Sequence, residues 1–392
     1  MSRRIVWLLA ISTGCIVANI YYAQPLLADM AHEFGLSVPQ IGAVAMLAQV
    51  GAAVGMLLFV PLGDKFERRD LIAALLVAGT IALAMTASAS SVLWLCLGTF
   101  AIGLATSNVH VVVPLAAHLA PPQQRGRVVG TVLGGLLVGV LLARTFSGVI
   151  GARFGWRTVY WIGAVVMLTL AAVIRLALPV SRPDESPRWT DLMRSIGSLV
   201  REHATVREAA LLAFLMYSTF TALWTTLVFL LRTPPYDYGT TAAGLFGLLG
   251  AASAAAAPLV GRFADRYGAK RAVHGAIVTT LVAYLVLLTG GRMLAGLIVA
   301  IILVDAGVQS GHVANQSRIY SLVPSARGRL NTVYMMSFMS GGAVGSYVGP
   351  LGFKLGGWAG FCAYPLAALT FALVYALRAD RDAVVAPAST VA

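Results

Sequence analysis

Charge is scarce in this chain and acid is scarcer still. Asp, Glu, Lys and Arg make up 11% of its 392 residues, and only 15 of them are acidic. A soluble domain carries about 25% charged residues, whereas here 59% of residues are hydrophobic and the mean hydropathy is +0.83. So much apolar surface cannot hide in one water-soluble core, because the exterior of a globule must be solvated. The shortage of charge therefore excludes an ordinary soluble enzyme and points to lipid as the solvent. Cysteine is also rare. Cys15, Cys96 and Cys362 lie in apolar stretches without metal-ligand spacing, so neither a disulfide framework nor a zinc site is expected. No GxxxxGK loop is present to cradle a nucleotide, which argues against ATP as the direct energy source. Paired nucleophile and base, metal ligands and paired acids at one depth are likewise missing, so no enzyme activity, cofactor or metal is expected.

What the chain has in abundance is apolar runs. A membrane helix needs roughly 20 mostly apolar residues, and twelve candidates occur at 5–28, 38–62, 70–89, 91–116, 129–151, 157–179, 208–231, 240–261, 273–290, 293–317, 330–353 and 356–377. The breaks near residues 90 and 291 are the least marked. A backbone in lipid must satisfy its own hydrogen bonds, so these are expected to be helices. The first run follows a positive start like that of a signal peptide but is too long for one, and reads as a retained span. The fold class expected is an all-α polytopic membrane protein of twelve transmembrane helices in two six-helix halves. The halves are 1–179 and 208–377, joined by a linker at 180–207 and followed by a tail at 378–392. The net charge of +13 would suggest nucleic acid in a soluble protein. Here the basic residues cluster between spans, which is how a membrane protein carries its orientation. With both termini cytoplasmic, only Arg153, Arg157, Arg232, Arg292 and Lys354 fall outside and Arg144 falls in the bilayer; the other Lys and Arg lie at the inner side. Residues 189–200 alternate at helical spacing and suit either an inner-surface helix or a plain charged linker.

The two halves look like copies. A shift of 202 residues aligns Pro122 with Pro324, "RGR" at 125–127 with "RGR" at 327–329, Trp156 with Trp358 and His110 with His312. A shift of 201 aligns Asp64 with Asp265, each followed by basic residues. Such an internal duplication in a spanning protein is the signature of alternating access, in which two halves rock about a central site. Small residues also recur every four positions, at Gly135, Gly139, Ala143, Ser147 and Gly151 and at Ser337, Gly341, Gly345 and Gly349. They form ridges that bring helices to backbone distance, either as static packing or as a sliding contact between halves.

Polar residues inside spans are costly in lipid and mark candidate sites. Arg144 lies roughly 10 Å from the outer end of its span, suited to an anion ligand, a partner for a carboxylate, or a structural cation. Asp305 lies about 18 Å from the outer surface, near the midplane, and shares one helix face with Gln309, His312 and Gln316. A carboxylate there changes its proton affinity when its hydration or a neighbouring cation changes. Asp305, His312 and His110 are therefore the proton-coupling candidates. Asn19, Tyr21, Tyr22 and Gln24 precede or surround an irregularity expected at Pro25. Together with Arg144, Asn108, Tyr217, Trp224, Gln309, Asn315, Tyr334 and Phe338 they are the substrate-cavity candidates. Asp64, Arg68, Arg69, Asp265, Arg266, Lys270 and Arg271 are the candidates for conformational gating.

The motif "GRFADRYGAKR" at 261–271 resembles the loop motif of the major facilitator superfamily, with Gly261 followed four residues on by Asp265, then Arg-x-Gly and basic residues. Its counterpart "VPLGDKFERR" at 60–69 keeps Asp64, Lys65, Arg68 and Arg69 but has Val60 and Glu67 where the motif has glycines. Drug/proton antiporters of that superfamily often carry a span-4 arginine four residues before a glycine, where this chain has Thr99 before Gly103. They also carry a glycine-proline motif in span 5, where this chain has no proline. "ANIYYAQPLL", "LLARTFSG", "GWR" and "RGRLNTVYMMSF" are similar to a bacterial branch of drug-antiporter-like and predicted sugar-efflux transporters. The resemblance implies a secondary transporter of the inner membrane, with proton-coupled efflux of a small organic or amphiphilic compound as the first expectation. Proton symport or facilitated uptake of an organic anion or sugar is the second, and a non-transporting membrane sensor or structural protein the third. The partners expected are a small-molecule substrate, protons and membrane lipids, with no nucleic acid and a monomer as the unit.

Overall fold

The computed structural model describes residues 2–181, 189–251, 266, 268–323 and 326–385. Local signals start the first helices where serines and acids sit. Ser2 accepts from the Ile5 N–H ahead of α1 (Arg3–Tyr21), and Ser37 and Gln40 form a capping box ahead of α3 (Val38–Phe59). Between them, α2 (Ala23–Glu33) continues α1 after a break at Tyr22, with Pro25 in its first turn, where a missing N–H costs nothing. Glu67 caps α4 (Arg68–Ala87), and Ser91 caps α5 (Val92–Thr106). The chain then passes through α6 (Val109–Leu119) and α7 (Arg125–Phe154). Gly155, at φ 82°, makes the turn into α8 (Trp156–Ala177); a left-handed φ of this kind favours glycine.

The stretch between the two sets of spans contains a helix, α9 (Trp189–Glu202), which packs against the second half of the chain, and Arg329 bonds to Ser195 on it. Then follow α10 (Ala204–Leu231), α11 (Thr240–Leu245) with a 3-10 turn at Phe246–Leu249, α12 (Ala269–Gly290), α13 (Leu294–Leu322) and α14 (Arg327–Val385). Ten helical segments among the described residues are long and apolar enough to cross a membrane. The last is bent sharply at Gly356 and Gly357, where Gly357 has φ 57°, and its two arms match the two final spans read from the sequence. Residues 252–261 of the span expected at 240–261 lie outside the described residues. The protein is thus a polytopic all-α membrane protein with ten to twelve long apolar helices.

Equivalent helices pack alike in the two halves of the chain. Helix α1 lies along α7 and α10 lies along α14, the pairs that a 202-residue shift superposes. Equivalent arginines make similar bonds to the end of the preceding helix: Arg125 Nε donates to the Ala117 carbonyl and Arg327 Nε to that of Tyr320, one residue off the exact register. The small-residue ridges belong to these pairs. A Cβ on Gly135 or Gly139 would fall 2.2–2.3 Å from the carbonyl oxygens of Ala10 or Gly14, and one on Gly341 or Gly345 would strike those of Phe214 or Ser218. The ridges therefore serve close packing within each half, the first of the two readings, and are not contacts between the halves. The reason is their register, since the adjoining face of α7 carries Arg144 and Gly148 towards the other half.

Two crossings join the halves. Gly148 meets Gly244 and Thr240, and Gly42 meets Ser346 and Pro350. Both lie towards the end of the bundle opposite the linker, here the far end. Ion pairing joins the same end, where Arg232 bonds to Asp29 and Thr240 Oγ1 donates to Asp29 Oδ2 at 2.7 Å. The contacts between halves described here run from mid-depth to the far end.

Candidate functional site

At mid-depth α10 is buried on all sides, every residue from Met216 to Leu231 being shielded. It stands between the halves, so its side chains meet α1, α2 and α7 on one side and α13 and α14 on the other. Arg144 reaches it from α7 and is only 1% exposed. Its guanidinium carbon lies 3.7 Å from the centre of the Trp224 indole, 5.0 Å from that of Tyr21 and 5.6 Å from that of Phe220. Ring faces are negative, so three of them together stabilise a cation held out of water. One hydrogen bond orients the group, from Nε to Gln24 Oε1 at 2.6 Å, while Nη2 is buried with no hydrogen-bond partner.

Asp305 is 4% exposed, and its Oδ1 accepts the Trp224 indole N–H at 3.1 Å. The two charges form no direct ion pair; one tryptophan touches both, with its ring face on the cation and its N–H on the carboxylate. Gly247 and Gly250 make room for this arrangement, because a Cβ on Gly247 would lie 2.7 Å from Arg144 Cβ and one on Gly250 3.1 Å from Asp305 Oδ2.

A second aromatic group continues from the cage. Tyr21 and Tyr217 share a hydrogen bond at 3.2 Å between their hydroxyls, and the Tyr217 ring stacks on Phe338 with centroids 3.6 Å apart. His312 lies 4.8 Å from Phe338, and its Nδ1 is 3.2 Å from the Tyr334 hydroxyl. Gln49 of α3 comes in beside Tyr217 and Gly342, and its buried Oε1 has no partner. His110 stands half-buried in the first turn of α6.

The structure thus brings together Tyr21, Gln24, Arg144, Tyr217, Trp224 and Asp305, with His312, Tyr334 and Phe338 adjoining. Other candidates stand elsewhere. Tyr22 packs between Phe146 and Tyr160 within the first half of the chain. Asn108 sits at the break between α5 and α6 and donates to the Ile72 carbonyl at 3.1 Å, tying α4 to that break. Asn19 is buried with Oδ1 unpartnered, and Gln309 is half-buried on the Asp305 face. Asn315 accepts from Arg318, which pairs with Glu208 at 2.9 Å near the linker end. Sequence reasoning missed Gln49, Phe220, the Asp29–Arg232–Thr240 contact and the Glu208–Arg318 pair. Gln49 offered a signal as a lone amide in an apolar run, and Phe220 offered none.

At the linker end, Arg68 Nε donates to the Gly63 carbonyl and Arg69 to that of Leu178. Glu67, at a position where the loop motif departs from glycine, accepts the backbone N–H groups of Ser181, Asp70 and Arg69. Burial pushes its pKa up, but those hydrogen bonds and the Arg69 charge outweigh it and hold the carboxyl below its ordinary value. The side chain of Asp64 and the whole of Asp265 lie outside the described residues. Arg266 stands near the start of α12, and Lys270 and Arg271 occupy its first turn.

Helices that cross a membrane and surround a polar, aromatic centre at mid-depth define the class as a transport protein. Matches to the Major Facilitator Superfamily cover residues 9–288 and 209–391, and the chain belongs to that family. It is 40% identical over 374 residues to the uncharacterized transporter YgaY of Escherichia coli O157:H7, covering 95% of this chain and 94% of that one. It is 38% identical over 359 residues to the transporter SCO4007 of Streptomyces coelicolor, covering 91% and 83%. In fold it is similar to the nucleoside transporter NupG, with a TM-score of 0.75 at 15% identity over 95% of this chain and 98% of that one. The protein is accordingly a secondary transporter of small molecules and not an enzyme.

Proposed function

We propose that the chain couples proton movement to export of a small organic compound that places an anionic or strongly accepting group beside aromatic rings. In this reading residues 1–179 and 208–377 form two rocking halves in the bacterial inner membrane. Both termini are cytoplasmic, the far end is periplasmic, and a monomer is the transport unit. The observation that carries the proposal is Trp224, one indole shared by Arg144 and Asp305. Two sites that share one bistable element are coupled, and the coupling acts equally in both directions.

A substrate acceptor drawn to Arg144 Nη2 pulls the guanidinium away from the indole face. Trp224, freed of the cation, settles its N–H more firmly on Asp305 and steadies the charged form. A proton arriving at Asp305 from the far end does the reverse, releasing the indole to cover Arg144 and weakening the hold on substrate. Proton and substrate therefore compete through the tryptophan, which is the relation an antiporter needs. Gln49 and the Tyr217–Phe338 stack supply an acceptor and a flat wall for the rest of the molecule. Gating falls to the linker-end loops around Arg68, Arg69 and Lys270 and to the far-end Asp29–Arg232 contact.

The unpartnered Arg144 Nη2 also favours a second reading, uptake of an organic anion. Purified protein in vesicles, screened against a compound panel with an imposed pH gradient, separates the two by the direction of accumulation. Asp305→Asn is expected to abolish gradient-driven accumulation while leaving substrate exchange at equal pH. Full accumulation by Asp305→Asn would remove Asp305 as the coupling group.

A further inference from the structure

The central cage leaves two buried side chains unsatisfied, and they differ in kind. The Arg144 guanidinium donates through Nε to Gln24 and makes no other hydrogen bond among the described residues, with Nη2 wholly buried. Its Nη edge is left for an acceptor lying in the plane of the group, the geometry that a carboxylate meets with two parallel bonds. Gln49, on α3, is 3% exposed and its Oε1 has no partner. A buried polar atom left bare is costly. One donor edge and one acceptor atom together specify a ligand that brings an acceptor to the first and a donor to the second.

Rings lead from one to the other. Phe220, Tyr217 and Phe338 stack in a column, with centroids 5.5 Å and 3.6 Å apart and interplanar angles of 17° and 16°. The Phe220 centroid lies 5.6 Å from the Arg144 guanidinium carbon. Further along the column, Tyr217 Cε1 and Gln49 Cδ both lie within 3.2 Å of one point, the position of a Cβ on Gly342. A sugar would need a polar partner along every edge, whereas parallel rings offer the flat faces on which an aryl ring stacks.

We propose that the substrate is an aryl carboxylate bearing a hydroxyl donor, with its carboxylate on the Arg144 Nη edge, its ring against the column and its hydroxyl donating to Gln49 Oε1. This rests on the central cage being the transport site, as proposed above, but not on proton coupling or direction. Both polar ends are held by the first half, on α7 and α3, and the ring by α10 and α14 of the second, so the ligand bridges the two parts that rock. Gln49 is thereby a specificity-determining residue. Methylating the hydroxyl leaves its Oε1 buried and bare, whereas capping the acid as an amide removes the charge at the Arg144 end.

The test is binding at a single pH, read by isothermal titration calorimetry on the full chain in detergent micelles. The probes are para-hydroxybenzoate, para-hydroxyphenylacetate and para-hydroxycinnamate, each beside its para-methoxy ether and its primary amide. On at least one scaffold the hydroxy acid is expected to bind about tenfold tighter or more than its ether, its amide and glucuronate, an anion with hydroxyls but no aryl ring. Gln49→Met, close in volume, should bring hydroxy acid and ether within about twofold while keeping the preference over the amide. Arg144→Gln should do the opposite, and the unmutated protein's ratios carry the test if either variant fails to fold. Equal affinity for hydroxy acid and ether on every scaffold, glucuronate bound as tightly, no binding of any acid, or a hydroxyl preference that survives Gln49→Met overturns the proposal. None of these results depends on Asp305→Asn in vesicles, so failure of the substrate class and failure of the coupling reading are told apart.

Discussion

Gly148→Ala tests whether the halves separate at the far end. A Cβ at Gly148 would stand 2.6 Å from Gly244 Cα and 2.9 Å from the Thr240 carbonyl oxygen. Carbon contacts are comfortable at about 3.5–4.0 Å, so α7 and α11 must part by roughly 1 Å to admit the methyl. Overpacking of this kind costs about 1–3 kcal/mol, and here it burdens only the conformation in which the two helices touch. If the far end opens during transport, the open state escapes the cost and its population relative to the closed state rises about 5–150-fold. The assay is labelling of a cysteine at Thr145, beside the crossing, by a membrane-impermeant maleimide added from the far side. Cys15, Cys96 and Cys362 are replaced beforehand. The labelling rate should rise at least fivefold. Gly139→Ala is the control: its Cβ would lie 2.3 Å from the Gly14 carbonyl oxygen, an equally severe clash within one half. It should lower Tm without changing the labelling. A Gly148→Ala protein that is less stable yet labels at the original rate would refute the idea that this crossing opens.

Trp224→Phe keeps a ring over Arg144 but removes the N–H from Asp305. An unmade hydrogen bond of this sort costs about 1–3 kcal/mol; gradient-driven accumulation should fall about tenfold or more while substrate affinity at equal pH changes little. Glu67→Ala removes an N-cap and should cost about 1 kcal/mol, read as a lower Tm. The pH dependence has a fixed sign, because the folded-state pKa of Glu67 lies below its ordinary 4.5. Its contribution is complete above about 4.5 and is lost as pH falls through the lower folded value, so Glu67→Gln should flatten the acid limb of a melting series. Arg318→Met should cost about 3–5 kcal/mol by stranding Glu208, whereas Glu208→Leu with Arg318→Met together should be close to neutral in denaturant unfolding.

Much of the architecture was legible because lipid imposes it. Length and hydropathy marked the spans, and the repeat accounts for α10 lying along α14 as α1 lies along α7. The roles of the ridges were not legible. Spacing of four residues identifies a close-packed face, but only the rotation of α7 decides whether that face meets α1 or the other half. The site was read in outline for a similar reason. Arg144 and Asp305 stood out by their cost in an apolar run, whereas Phe220 is one apolar residue among many. The bond between Tyr21 and Tyr217 spans 196 residues and leaves no local pattern.

The cage also bears on why Arg144 has no carboxylate in direct contact. Removing a guanidinium from water costs several kcal/mol even after relaxation, and a close Asp305 pair would offset more of that cost than three ring faces at about 0.5–2 kcal/mol each. A direct pair would also be hard to leave, because separating buried partners restores the full desolvation penalty on both. Interposing Trp224 keeps the two charges within each other's field while giving each a weaker, exchangeable contact. A group that must let go of one partner for another in every cycle is better served by that arrangement than by the strongest bond available. In the proposed cycle the exchange begins at the buried Nη2, which has no hydrogen-bond partner.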